Sequence, residues 1–159
     1  MRSFPKVAEL GKMRDQKCVL LSVASHAFME LCAARLAPLN LTLSRSLALA
    51  YVDAHPGCDQ TSLGRAMGMN RGSTMQLVDN LERTGFVRRE PGPDRRSNAL
   101  HLSKEGRKAL DKALKVDEAI LDSALGELTE RDWKVVLNLI RLIFAASGDE
   151  FAAEARAAG

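Results

Sequence analysis

Cysteine is scarce in this chain and unpaired. Cys18, Cys32 and Cys58 lie 14 and 26 residues apart, with no C-x-x-C pair and no histidine at zinc-ligand spacing. That pattern supports neither a disulfide framework nor a metal centre. Histidine is equally thin: His26, His55 and His101 fall on three separate segments. No Ser-His-Asp, Cys-His or glycine-rich phosphate motif accompanies them, so no catalytic site and no cofactor are expected. No uninterrupted apolar run approaches the roughly 18 residues of a bilayer span. The opening MRSFPKVAELGKMRDQK also lacks the apolar core of a signal peptide, so a cytoplasmic protein without a membrane partner is expected. Net charge is only +3, too small to indicate nucleic acid by itself.

What is present suits one domain with a real core: 159 residues, 46% hydrophobic and 27% charged. The charge is unevenly placed. Residues 1–55 carry 7 basic and 4 acidic groups, residues 56–104 carry 8 and 5, and residues 105–159 carry 8 and 11, so the positive excess lies in the first two-thirds.

Residues 13–36 lack Gly and Pro and place apolar residues near helical spacing, which predicts one long helix ended by Pro38. Thr42 or Ser44 can cap a second helix running to Ala54, stopped by His55-Pro56-Gly57. Asp59 or Gln60 opens a short helix to about Met67, Gly68 breaks it, and Asn70 caps a further helix over residues 71–83. Two helices joined by a short glycine-containing turn form a helix-turn-helix pattern. Thr74, Leu77, Val78 and Leu81 make the core stripe of the second, whereas Arg71, Ser73, Gln76, Asn80 and Arg83 make a polar face read as free of acidic residues. Gly85 is a left-handed cap candidate. Residues 86–90 and 98–102 then read as two strands around the turn PGPDRRS, a β-hairpin wing. Ser103 caps a helix from Lys104 to about Leu125, and Thr129-x-x-Asp132 starts a last one through Phe144.

Helix-turn-helix spacing alone is shared by many helix pairs that only pack in a core. Here a glycine-capped turn and a hairpin tipped by Arg95 and Arg96 follow directly. A core hairpin has no use for two guanidinium groups at its tip, whereas a minor-groove probe needs them. The fold class expected is mainly α with a small β-hairpin wing, a winged helix-turn-helix with flanking dimerisation helices. Residues 42–103 would form the DNA-binding region, and 1–41 with 104–159 the helical dimerisation region, as one intertwined domain.

The run from Leu63 to Gly106 also resembles the MarR family signature. A helix-turn-helix is followed by L-E-x-x-G-F/L-V-x-R, a wing with D-x-R, and L-S/T-x-x-G, matched at Leu81, Glu82, Gly85, Phe86, Val87, Arg89, Asp94, Arg96, Leu102, Ser103 and Gly106. The resemblance covers about residues 13–146. It departs at Gly64, where alanine is more usual, and at Gly72, where a small polar residue is common and one possible base contact is lost. The resemblance implies a homodimer joined through the first and the last two helices. The near-continuous apolar girdle Val135, Val136, Leu139, Ile140, Leu142 and Ile143 supports this independently.

On this reading the protein is a DNA-binding transcriptional regulator, a repressor of a pseudo-palindromic duplex operator, with residues 71–83 as recognition helix. Ser73 and Gln76 are the expected base readers. Arg71, Thr74 and Asn80 join them at the duplex, and phosphate positioning is the reading preferred for Arg71 and Asn80. Arg95 and Arg96 would reach the minor groove, and the resemblance implies that Asp94 orients Arg96. A small aromatic effector would use Arg14, Ser25 or His26 as polar anchors against Met29, Leu47 and Tyr51. The alternative is thiol oxidation at Cys18, because the segment around it resembles the peroxide-sensing OhrR branch.

Overall fold

The computed structural model describes residues 7–91 and 98–146. A 3₁₀-type segment, Val7–Asp15, bends at Gly11 and leads into α1, Lys17–Leu36. Next come α2 (Leu43–Ala54), α3 (Gln60–Ala66), α4 (Arg71–Arg83), β1 (Val87–Pro91), β2 (Asn98–Leu102), α5 (Lys104–Ala124) and α6 (Glu130–Ala146). The mainly helical fold with a two-stranded hairpin is the one the sequence implies.

Each short helix begins where a side chain can satisfy a first-turn amide. Thr42 accepts from the Arg45 amide, Asp59 from Ser62 and Asn70 from Ser73. At the far end of α4, Gly85 turns left-handed at φ 74° while the Phe86 amide donates back to the Leu81 carbonyl at 2.8 Å. This closure explains why β1 starts one residue later than expected: Phe86 completes the helix cap, and its carbonyl accepts from the Ser103 amide. β1 and β2 pair antiparallel from Val87 with Leu102 to Pro91 with Asn98. The sequence reading missed a bridge between Cys58 and Leu100, through which the turn before α3 becomes a third rung of the wing.

The chain divides into two compact units within α5, between residues 117 and 118. In the first, Leu49, Leu63, Val78, Leu81, Val87 and Leu100 form the centre of one apolar cluster, all nearly or fully buried. Burying each such side chain contributes about 1.5–3 kcal/mol, which locks α2, α3, α4 and the wing base to one another. In the second unit α6 opens with a capping box, in which the Thr129 amide donates to Asp132 and the Asp132 amide to the Thr129 hydroxyl oxygen. No residue of α6 is buried, and Val135, Leu137, Leu142 and Phe144 are among its exposed apolar side chains.

One expectation needs correction. The stretch Lys17–Leu39 reaches a mean hydropathy of 1.4, long and apolar enough to cross a membrane by length and composition alone. Scanning for uninterrupted runs missed it because Ser22, Ser25, His26 and Glu30 punctuate a sequence whose average is still apolar.

Candidate nucleic-acid interface

α4 carries its two chemistries on opposite sides. Thr74, Val78 and Leu81 are buried, whereas Arg71, Gly72, Met75, Gln76, Asp79, Glu82 and Arg83 are exposed and Ser73 is half-exposed. Gln76 lies within the outward face beside Arg83. Met75, 51% exposed, is an apolar group there that the sequence reading passed over, although its helical position marks it as outward.

Thr74 is corrected from duplex contact to core residue. It is 3% exposed, and its hydroxyl donates to the Asn70 carbonyl at 2.9 Å. The same apolar stripe that orients Val78 and Leu81 turns Thr74 inward, beneath Gly64, where a Cβ would come within 2.6 Å of the Thr74 hydroxyl. Asn80 is engaged within the chain as well. Its Oδ1 accepts from Arg45 Nε at 2.7 Å and also from Arg45 Nη2, while Arg45 Nη1 donates to the Asn40 carbonyl at 3.0 Å. Arg45 therefore ties α2 to the flank of the recognition helix. No local signal announces this, because the partners are 35 residues apart.

The outward face is not free of acid, a second correction. Asp79 and Glu82 stand on it, their side chains 54% and 42% exposed, and Arg89 from β1 reaches across to both. Arg89 Nη1 donates to Glu82 Oε2 at 2.5 Å and Nη2 to Asp79 Oδ1. One guanidinium, itself only 22% exposed, thus pairs with both carboxylates and leaves one net negative charge on the three groups instead of two. Arg89 belongs to the motif noted in the sequence, but its partners emerge only when the strand folds back along the helix.

Beside the start of α4 lies an open groove of about 610 Å³, with Asp59, Gln60, Arg65, Met69, Arg71 and Asn98 among its walls. Asp59 has its carboxyl held below the usual carboxylate range, first by the Ser62 amide it caps. The wing residues Asp94, Arg95 and Arg96 lie outside the described residues.

The described residues expected to meet an effector lie on α1 and α2, most of them exposed. Ser25, His26 and Met29 are exposed on α1, and Ser25 donates to the Ser22 carbonyl at 3.2 Å. Leu47 is exposed on α2, and Tyr51 stacks on His55 with ring centroids 4.4 Å apart. The side chain of Arg14 lies outside the described residues. Cys18 is exposed, Cys32 buried and Cys58 half-buried, and burial foremost pushes the thiols of Cys32 and Cys58 up. Among the described residues no group of three or more His, Cys, Asp or Glu could hold a metal ion.

Comparison with known proteins places this architecture. The MarR family model matches residues 39–97. The transcriptional regulator HosA of Escherichia coli O111:H- is 26% identical over 108 residues, covering 67% of this chain and 80% of HosA. Among solved structures, the transcriptional repressor CouR bound to a 23-mer DNA duplex is 30% identical, with a TM-score of 0.75 over 90% of this chain and 99% of that one. CouR from Rhodococcus jostii RHA1 bound to p-coumaroyl-CoA has a TM-score of 0.76 at 23% identity, over 82% of this chain and 93% of that one, a likeness of fold.

Proposed function

The chain belongs to the MarR family of DNA-binding transcriptional regulators, and from that premise we propose that it acts as a homodimeric repressor released by a small aromatic effector. The observation that carries the DNA reading is the two-sidedness of α4. Its apolar stripe is consumed by the core while Arg71, Gln76 and Arg83 stand outward and the two exposed carboxylates are both paired with Arg89, which offsets half of their charge. Gln76 and Ser73 would read base edges, Arg71 and Arg83 would hold phosphates, and Asn80 would position the helix through Arg45 rather than touch DNA. Arg95 and Arg96, supported by Asp94, would enter the minor groove. A duplex target places the protein with the chromosome, in the cytoplasm.

Two surfaces support the dimer. α1 exposes Leu21, Phe28 and Met29, and α6 exposes seven large apolar residues along 17. A lone chain would leave both in water, and covering them with a second copy removes that cost. The same partner would wall in Ser25, His26, Met29, Leu47 and Tyr51. Arg14 would supply a cation for the carboxylate of an aromatic acid or for the phosphates of its coenzyme A thioester. The ligand of the CouR complex, an aromatic acyl thioester, motivates the class.

The experiment is selection of duplexes from a random-sequence library, followed by gel shift of the selected site with a panel of aromatic acids and their coenzyme A thioesters. Enrichment of a pseudo-palindrome with half-sites about 10 base pairs apart, released by a panel member, is expected. Failure to enrich any sequence would refute the DNA reading. Exposure of Cys18, with the other two thiols buried or half-buried, favours a second reading in which a hydroperoxide oxidises Cys18 to the sulfenic acid and leaves as the alcohol. Release by cumene hydroperoxide that Cys18→Ser abolishes would decide for it.

A further inference from the structure

Eight glycines fall among the described residues, and seven have a reason within the chain. Gly11, Gly57, Gly68 and Gly85 adopt positive φ, which an L side chain strains to follow. At Gly64, Gly106 and Gly126 an added Cβ would collide with Thr74, with the Phe86 carbonyl and with the Asp122 carbonyl. Gly72 is the exception. It sits in the first turn of α4 without positive φ, and the sole atom a Cβ there would meet is Asn70 Oδ1 at 3.5 Å, an ordinary contact. Nothing among the described residues demands a glycine there, and a helix is weakened by having one.

Gly72 points outward, and its place on the face sharpens the question. At 100° per residue it shares the exposed side of α4 with Met75, Gln76, Asp79 and Arg83, directly opposite the buried stripe of Thr74, Val78 and Leu81. The bare stretch of backbone therefore lies on the mid-line of the proposed duplex-facing side, at its N-terminal end and one helical turn before Gln76. A missing side chain on the mid-line of a recognition face, where a helix-turn-helix presents the N-terminal end of its second helix to base edges, lets the backbone approach its partner by the width of a methyl group.

We propose that Gly72 is the point of closest approach between α4 and DNA, a specificity-determining residue whose absent side chain sets how deeply the helix enters the major groove. The inference rests on the proposed DNA-reading role of α4. Depth governs every contact made from the same face: a helix held off by one methyl carries Gln76 away from base-edge hydrogen-bond distance, while the longer Arg71 and Arg83 still reach phosphates. Loss of fit at Gly72 should therefore reduce selective binding more than general binding.

The test uses the full-length protein and Gly72→Ala and Gly72→Val variants, with a duplex selected by the wild type and a random-sequence duplex of equal length. For Gly72→Ala, affinity for the selected duplex should fall at least tenfold and affinity for the random duplex less than threefold, with Tm unchanged or raised by up to about 4 °C. Gly72→Val should lose still more selective affinity. Undiminished selective binding by Gly72→Ala overturns the proposal, and so does a fall in Tm that accounts for the loss, since Gly72 would then serve the fold. If the wild type selects no duplex, the DNA reading itself fails. If it selects one that Gly72→Ala binds equally, only the role of Gly72 fails.

Discussion

Arg89 shows how one residue shapes the electrostatics of the α4 face proposed to meet DNA. It holds Asp79 and Glu82 together and anchors β1 to α4. The carboxylates are exposed and such pairs contribute only about 0–1 kcal/mol each, but Arg89 itself is half-buried, so Arg89→Ala should cost a modest amount of stability, about 1 kcal/mol. It should cost DNA affinity by roughly tenfold, because two carboxylates are released toward the phosphates. Adding Asp79→Asn and Glu82→Gln to Arg89→Ala should restore most of that affinity in a gel shift. No recovery would mean that Arg89 acts by bracing the wing rather than by masking charge.

Asp59 gives a residue-level prediction with a pH signature. The Ser62 amide it accepts from, more than any other neighbour, keeps its carboxyl below the ordinary value. A carboxyl whose folded pKa is depressed contributes stability that is full above its unfolded value of about 3.9 and vanishes as pH falls through the lower folded value. Asp59→Ala should therefore destabilise the protein by about 1 kcal/mol at neutral pH. In urea melts the gap from wild type should narrow below about pH 4, whereas Asp59→Asn, which keeps the accepting oxygen, should lose little at any pH.

At the scale of the element, the side chains of α4 proposed to meet DNA differ in how they are held. Gln76 is free on the outward face, whereas Asn80 is held by Arg45 and Thr74 is buried. Gln76→Ala should cost about 1–3 kcal/mol on a selected duplex and little on random DNA. Equal losses on both duplexes would demote Gln76 to a phosphate contact. The short capped helices and the Gly85 closure hold this element rigidly to the wing base, because Leu81 and Val87 on either side of the turn are both in the core.

At the scale of the molecule, the apolar faces of α1 and α6 are the feature a single chain leaves unresolved. Val135 is 65% exposed and Leu137 61% exposed, large apolar side chains that the described residues leave uncovered. If the protein is the proposed homodimer, replacing Val135, Leu139 and Leu142 together by Gln, or deleting residues from Asp132 onward, should give a monomer in place of that dimer in sedimentation velocity. Specific DNA binding should be lost with it, since two half-sites are read only by a two-fold protein. A monomeric wild type at micromolar concentration would refute the dimer and leave the apolar faces to another partner.

Local chemistry carried most of the fold into the sequence. Asn70 as cap, Gly85 as left-handed stop and the Thr74, Val78 and Leu81 stripe define α4 from residues no more than a few positions apart, so its bounds of Arg71 to Arg83 could be read directly. The wing strands were legible for the same reason, within one residue at β1. What the linear chain concealed depends on long-range approach. Arg45 meets Asn80 across 35 residues, Cys58 pairs with Leu100 across the wing base, and Arg89 reaches back to two acids on a helix already passed. Spacing arguments see which way a side chain points along its own helix or strand. Which groups another element brings within 3 Å of it is settled by packing, and that is why Asn80 and the two carboxylates of α4 acquired their roles only in the tertiary structure.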